Sequence, residues 1–569
     1  MKLIEKILED LFKQSVDKIY PNTKLKDPII QRTANENFGD FQTNFAMINS
    51  KILRKAPRAI AQEIIDNIPE NDIIEKIEIA GPGFINIYVK NEFLVNYLPL
   101  IEKEEPDFSF INDKGTVVID YSSPNIAKPM HIGHLRSTVI GDAIKRIYRY
   151  LGYEVIGDNH LGDWGTQFGK LIVAYRLWLD KENYEKDPIG EMERIYVKFE
   201  KESENNPDLL EDARHELKKL QDGDPENRKL WQEFVDLSLR EYNKIYKRMD
   251  IEFETYYGES HYHDMMPDIV KLLLEKGIAT YSEGAVVVFF DEEENLPPAI
   301  IQKKDGAFLY ATSDLACIKF RRETYNPNRI LYVTDERQQT HFKQLFNIAR
   351  KLGWEGNYQH IWFGLMRFAD GVFSTRKGNV IKLEELLNKA VEKAREIIEE
   401  KNPNLSEEEK DHIAEVIGIG AVKYADLSQN RISHIIFDWD KMLAFDGNTA
   451  PYLLYTYARI QSLKRKANEN GYTLENAELK INEPLERKLG LLLTQLPIVV
   501  MRSAEDYKPN LIADYLFELA QTYNSFYNNL PVLKEEEPVL KSRLLLSHLA
   551  GEVLRRGLNL LGINVVDKM

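Results

Sequence analysis

The stretch from Thr116 to Ile156 constrains the fold more than any other part of the chain. Thr116-Val117-Val118-Ile119-Asp120-Tyr121 is a short apolar, β-branched run, the composition of a strand buried on both faces of a parallel sheet. A polar loop follows. Then Leu135, Val139, Ala143, Ile144, Ile147 and Leu151 recur at helical spacing, and Gly152 stands where a helix C-terminal cap belongs. Tyr153-Glu154-Val155-Ile156 opens a second strand. A strand-helix-strand unit of this kind implies a right-handed crossover and ligands at the carboxyl ends of its strands.

The rest of the chain organises around that unit. With 569 residues, and roughly 150 residues to a domain, several cores are expected. Residues 1–107 read as a small α+β unit. Helical patterns flank Asn37-Phe38-Gly39-Asp40, and two alternating strands, Ile74 to Ala80 and Phe84 to Val89, are joined by Gly81-Pro82-Gly83. Residues 108–385 hold the sheet, with a charge-rich, mostly helical insertion at about 170–290. Further sheet strands are expected at Ala285 to Phe290, Ile330 to Val333 and Ile361 to Leu365. Residues 386–569 read as helices throughout, an all-α bundle.

Charge and cysteine content narrow the function. The single cysteine, Cys317, excludes an intramolecular disulfide and a cysteine-rich structural zinc site. The first residues lack the apolar core of a signal peptide and no later stretch is long enough to span a membrane, so a cytoplasmic protein is expected. The net charge of −16 runs against nucleic acid binding, but a local basic face on an acidic body suffices. Lys464-Arg465-Lys466 is a candidate for that face, or simply a solvated stretch of helix.

Three segments carry chemistry. In Pro124-Asn125-Ile126-Ala127-Lys128-Pro129-Met130-His131-Ile132-Gly133-His134 a loop enters a helix, where free N–H groups and the helix dipole favour phosphate. His131 and His134 can face the same side and donate to charge developing on a phosphate, while Gly133 permits close approach of a nucleotide. Taken alone two histidines at this spacing are more often caps or surface residues, and the strand-loop-helix setting reverses that. A zinc site lacks further ligands there, and the His261-x-His263 pair also lacks a third. The second segment, Asn159 to Gly169, carries three glycines around Asp163 and Trp164 after the second strand, which suits a pocket wall. The third, Asp370 to Asn379, combines glycines, hydroxyls and the cations Arg376 and Lys377, which suits a loop closing over a triphosphate or an exposed basic turn.

Together these segments resemble a class I aminoacyl-tRNA synthetase, and within that class the arginyl-tRNA synthetases. His131-Ile132-Gly133-His134 is similar to the class I nucleotide motif. Ser122 to Pro129, Leu161 to Gly169, Ala80 to Asn86 and Phe445 to Tyr452 resemble arginyl enzymes in particular. The resemblance implies a multidomain α/β protein: a Rossmann-type catalytic domain with a helical insertion, an N-terminal domain that recognises the tRNA core, and a helical anticodon-binding domain. It implies ATP-dependent ligation of L-arginine to tRNA(Arg) through arginyl-adenylate, with Mg²⁺ accompanying ATP, no structural zinc, and a monomer.

The resemblance also suggests residue roles. His131, His134 and Lys128 would be catalytic. Gly133, Asp335, Ser374, Arg376 and Lys377 would join the histidines in binding ATP. Asp120, Asn125, Tyr310, Asp314 and Gln344 would bind arginine, in keeping with the fork geometry of a guanidinium. Phe84 and Asn86 would touch the tRNA D-loop, and Tyr452 and Tyr455 the anticodon arm. One departure stands out. The family's mobile loop usually begins with lysine, whereas Val372 holds that place here. Many arginyl enzymes share the loss and carry a lysine just before the histidine motif, where this chain has Lys128. Activation is then expected to depend on bound tRNA. Two rivals are a small-molecule nucleotidyltransferase without tRNA, which the N-terminal unit and helical last third disfavour, and a non-catalytic RNA-binding relative, which the retained histidines disfavour.

Overall fold

A computed structural model of the chain describes residues 1–33, 35–368 and 381–569. At its centre four parallel strands lie in the order Asn357–His360, Arg329–Tyr332, Thr116–Asp120, Glu154–Asp158. Thr116–Asp120 is an inner strand, and both of its faces are covered. Val117 and Ile119 join the core beneath the helix Ile132–Tyr150, whereas Val118 joins the opposite core with the helices Tyr310–Tyr325 and Gln339–Lys351. An unbroken β-branched run is what such a strand needs. From Asp120 the chain crosses to Glu154 on one side, while Arg329–Tyr332 pairs on the other. The order therefore reverses at Asp120, the place where open parallel sheets bind ligands.

The apolar stripe of Ile132–Tyr150 is buried as its periodicity requires, from Leu135 to Leu151. Its polar side is buried as well. Arg136 and Asp142 are 2% and 1% exposed, because helices of the last third cover that side. Arg136 Nε lies 3.1 Å from Asp426 Oδ2, and Tyr148 Oη donates to the carbonyl of Ala504 at 3.2 Å. The helix that begins with the histidine motif is thus held from both sides.

Two expected sheet strands are corrected. Ala285–Val288 is a strand, but it belongs to a separate antiparallel sheet with Thr280–Ser282 and Ala299–Gln302. The left-handed pair Glu283 and Gly284 folds 280–288 into a hairpin, which pairs locally instead of reaching the parallel sheet. The edge strand is Asn357–His360 rather than 361–365. Beyond it Ile361 donates to Tyr332 O at 2.8 Å and Phe363 to Thr334 O at 3.2 Å, so pairing continues only as an isolated parallel bridge between Phe363 and Asp335, while Arg431 and Arg136 take the carbonyls of Trp362 and Gly364.

The N-terminal sheet has the order Gln31–Arg32, Phe41–Thr43, Phe84–Val89, Ile74–Ala80, all antiparallel. The first two strands are too short to announce themselves by alternation. The helices Ile4–Ile19, Phe45–Leu53 and Pro57–Ile65 pack in the same core. This unit is fastened to the last third by Asp40, whose carboxylate takes Arg487 Nη1 at 2.5 Å and Nη2 at 2.9 Å. Residues 383–569 are helical apart from the strand Ile435–Phe437, which pairs in parallel with Met366–Phe368. Among the described residues no helix is long and apolar enough to cross a membrane.

Candidate active site

The histidine motif forms its own cap. His131 is the N-cap of the helix, and its Nδ1 accepts from Gly133 N at 3.0 Å; His134 Nδ1 accepts from His131 N at 3.1 Å. With both Nδ1 atoms serving as acceptors, each neutral ring carries its proton on Nε2. Burial, helped by the neighbouring charge of Lys128, lowers the pKa of His131 below the ordinary imidazole value. Burial, with His131 beside it, lowers His134 to about 3. The rings lie 4.0 Å apart. Two neutral donors at the start of a helix match a phosphate that gains charge in a transition state. A Cβ on Gly133 would lie 2.7 Å from His131 Cε1, so only glycine lets the His131 ring fold back over the helix start.

The loop before the motif runs through unusual backbone. Ser122, Ser123 and Ala127 have φ of +71°, +49° and +61°, conformations that cost non-glycine residues roughly 1–3 kcal/mol each. The insertion helix Pro225–Arg248 holds this loop in place. Ser238 Oγ accepts from Ala127 N at 2.9 Å, Tyr242 Oη lies 2.6 Å from the carbonyl oxygens of both Asn125 and Lys128, and Tyr246 Oη lies 2.7 Å from Ser122 Oγ. None of these three was singled out in the sequence, although their spacing of four is legible there. Lys128 itself is exposed, with Nζ 4.8 Å from the centre of the Tyr196 ring. Asn125 is backed by Gly162, where a Cβ would come within 2.1 Å of Asn125 Oδ1.

Around the carboxyl ends of the strands the expected arginine-binding residues divide. Asp120 is buried, its Oδ2 2.7 Å from Arg321 Nη2, which also reaches Asp158 Oδ2 at 2.7 Å. Asp120, Asp158 and His160 lie close enough together to hold a cation, and the Arg321 guanidinium already sits on both carboxylates. Tyr310 and Asp314 lie in the first two turns of the helix Tyr310–Tyr325, whose N-cap is Leu309. Asp314 is therefore inside the helix and not a cap. His341 Nε2 lies 2.6 Å from Asp314 Oδ2. Burial opposes charge on His341, but the carboxylate overrides it and raises the imidazole pKa. Gln344, one turn further on, instead donates Nε2 to Pro297 O at 2.7 Å.

Glu259 is the residue the sequence did not flag. It begins the short helix Glu259–Tyr262 after the insertion. Burial raises its pKa to about 7, opposed by His160 and reinforced by the charges of Asp314 and Asp163. Its side chain takes no hydrogen bond or ion pair among the described residues. Tyr310 is 71% exposed overall, yet partial desolvation of its hydroxyl, with the charges of Glu259 and Asp314, raises the phenol. Glu259, Asp314 and Tyr310 thus share one acidic neighbourhood in which His341 pairs with Asp314, while among the described residues no side chain forms an ion pair with Glu259.

Beside the neighbouring strand, Asp335 caps a short helix and holds Arg337, with Oδ2 to Nη2 at 2.6 Å. Of the second histidine pair, His263 accepts from Trp164 Nε1 at 3.1 Å and His261 stacks on Tyr257. Both serve packing. Ser374, Arg376 and Lys377, and with them Val372, lie outside the described residues.

Comparison with known proteins agrees with this geometry. Residues 100–439 match the catalytic-domain family described as "tRNA synthetases class I (R)". Residues 453–569 match the DALR anticodon binding domain, and residues 6–89 the arginyl tRNA synthetase N-terminal domain. An arginine–tRNA ligase of Fusobacterium nucleatum is 60% identical over the full length of both chains. The chain belongs to the arginyl-tRNA synthetase family. A Clostridium perfringens arginine–tRNA ligase is 43% identical, covering 99% of this chain and all of its own. The arginyl-tRNA synthetase structure from Plasmodium falciparum superposes with a TM-score of 0.84 at 30% identity over both whole chains. The expected fold class holds: a parallel-sheet class I catalytic domain between an α+β N-terminal domain and a helical C-terminal one.

The remaining residues expected to touch tRNA differ in exposure. Phe84 is half-buried at the start of its strand. Asn86 is 2% exposed, with Oδ1 accepting from Gln42 Nε2 at 3.1 Å, so it lies beneath the surface and backs Gln42. Tyr452 is half-buried, packs edge-on against Phe517 and accepts from Asn524 at 3.0 Å. Tyr455 is 40% exposed and lines a groove of about 810 Å³ with Arg459, Arg465, Lys466, Tyr527 and Lys568. The Arg459 guanidinium lies 5.0 Å from the Tyr455 ring and 5.1 Å from that of Tyr527. The basic triplet is split: Arg465 and Lys466 line the groove, while Lys464 turns to His548 Nδ1 at 2.9 Å.

Proposed function

We propose that the acidic neighbourhood of Glu259, Asp314 and Tyr310 takes the guanidinium of L-arginine, and that His131, His134 and Lys128 serve the ATP phosphates. Family membership makes the overall reaction the ATP-dependent ligation of L-arginine to tRNA(Arg). The observation that carries the substrate assignment is Glu259, a carboxyl held at a pKa of about 7 near Asp314, with no ion pair among the described residues. A guanidinium supplies that cation and its donors together. Citrulline lacks the charge and lysine lacks the fork.

In the first step a carboxylate oxygen of arginine attacks the α-phosphorus of ATP and pyrophosphate leaves. The two Nε2–H groups and the Lys128 ammonium offset the charge that builds on the phosphate oxygens. Mg²⁺ accompanies ATP as part of the substrate. In the second step a hydroxyl of the terminal tRNA ribose attacks the arginyl carbonyl and AMP leaves. Asn125, held against Gly162, faces the amino acid, and Asp335 takes a ribose hydroxyl of ATP. Asp120 acts from below, through its pair with Arg321. Ser374, Arg376 and Lys377 complete the phosphate contacts.

Residues 1–107 meet the tRNA core through the Phe84 and Asn86 region. The last third, residues 386–569, reads the anticodon arm, where the Tyr455 groove offers stacking faces and cations together. A cytoplasmic monomer in which tRNA must bind before arginine is activated completes the reading. The test is charging of total tRNA with each amino acid in turn, together with pyrophosphate exchange in the presence and absence of tRNA. Arginine alone should be charged, and exchange should appear only with tRNA. Exchange with arginine but no transfer to tRNA would favour the nucleotidyltransferase rival.

A further inference from the structure

Ser238, Tyr242 and Tyr246 stand one above another on a single face of the insertion helix Pro225–Arg248, at spacings of four. Each places a hydroxyl against the loop that carries Asn125 and Lys128. Tyr242 is 1% exposed, and burial pushes its phenol above the ordinary value, so it keeps its proton as a donor. That hydroxyl is 2.6 Å from two carbonyl oxygens three residues apart, those of Asn125 and Lys128. No other donor to either carbonyl appears among the described residues. Between them Ala127 is left-handed at φ +61°, a turn that an alanine adopts only where its surroundings impose it.

The helix is a fixed post for this purpose. At its far end Arg248 Nε lies 2.8 Å from Glu415 Oε1 and Nη1 is 2.7 Å from Asn388 Oδ1, which ties it to the helices Leu383–Lys401 and Glu407–Leu427. Ser238, one turn away on the same helix face, fixes the same loop, accepting from Ala127 N while it donates to Phe234 O. The Lys128 side chain has a looser hold: its ammonium lies over Tyr196 and within electrostatic reach of His131 and Glu200. What sets its direction is therefore the backbone that Tyr242 grips.

We propose that Tyr242 is a positioning residue for adenylate formation: by joining the carbonyls of Asn125 and Lys128 it aims the Lys128 ammonium at the phosphate side of the histidine pair. The proposal rests on the reading of Lys128 as a phosphate-side cation. Tyr242 touches no substrate and acts only through the loop.

The experiment is a double-mutant cycle in the full-length enzyme, with pyrophosphate exchange measured in the presence of tRNA. Tyr242→Phe keeps the ring and removes the donor. It is expected to lower kcat roughly tenfold with KM for arginine within about twofold, and to lower the melting temperature modestly, because two loop carbonyls lose their donor. In a Lys128→Ala background the same change is expected to cost nothing more, because the group it aims is gone. A normal kcat for Tyr242→Phe beside a crippled Lys128→Ala would overturn the role of Tyr242 alone. So would an equal loss in both backgrounds, the signature of a merely structural hydroxyl. Full turnover by Lys128→Ala would overturn the reading of Lys128 itself.

Discussion

Glu259→Gln tests the arginine pocket most directly. Burial holds the Glu259 carboxyl at a pKa of about 7, and Asp314 and Asp163 add to the shift. A cationic substrate binds the ionised form. At pH 8 a group of that pKa is about ten-elevenths ionised and at pH 6 about one-eleventh, so KM for arginine should rise roughly tenfold as pH falls across that range. Gln cannot ionise, so the variant should lose this pH dependence. It should also carry a higher KM at pH 8, by about 1.5–3 kcal/mol, or roughly 10- to 150-fold, the worth of a hydrogen bond to a charged partner. Stability should move the other way. A carboxyl whose folded pKa is raised above 4.5 favours folding in its protonated form, a contribution present at low pH and lost as pH rises through 7. Glu259→Gln should therefore melt no lower than the parent at pH 8 while binding arginine worse. The assay is tRNA charging with labelled arginine at saturating ATP from pH 6 to 8, with thermal unfolding alongside. A parent KM that is flat with pH, or a variant that keeps the parent's pH profile, would refute the assignment.

Other expectations follow from the same geometry. His134→Ala should lower kcat about a hundredfold with little change in KM for arginine, since a donor aimed at transition-state charge is worth about 3 kcal/mol; steady-state charging decides it, and near-normal turnover would remove the phosphate role. Asp314→Asn should raise KM for arginine roughly 10- to 150-fold, with a smaller loss of stability that comes from the weakened His341 pair and not from a helix cap; unchanged arginine affinity by calorimetry would place the guanidinium elsewhere. Asp426→Ala leaves Arg136 buried without its counter-charge and should destabilise the fold by about 3–5 kcal/mol; a loss below about 1 kcal/mol in urea unfolding would show that the three carbonyls of Gly364, Arg431 and Ser433 suffice to hold the guanidinium.

Much of the site was legible before any coordinates because its elements are local. A histidine that caps its own helix, a glycine that lets the ring fold back, and a strand-loop-helix unit all involve residues within a few positions of one another. Tyr310 and Asp314 were legible as a pair for the same reason, since helical spacing fixes their shared face. Gln344 shows the limit. It lies on the same helix as His341, and the family resemblance pointed to Gln344 alone. Only the packing of that helix against Tyr310–Tyr325 turns His341 toward Asp314 and Gln344 toward Pro297. Asn86 shows another: its chemistry suits a nucleotide, yet its strand buries it.

The βαβ unit, the helix start that favours phosphate and the family could be read without a structure, because alternation, helical periodicity and the histidine motif are written in consecutive residues. Only the tertiary structure decided which charges stand alone. Asp120 and Glu259 are both carboxylates near the strand ends, and nothing in their neighbours along the chain separates them. Arg321, 201 residues away, pairs directly with the first, while among the described residues the second forms no ion pair and feels His160 only at a distance. Composition carries no information about that difference, because the strength of a charge in a folded protein is set by burial and by partners brought from distant parts of the chain.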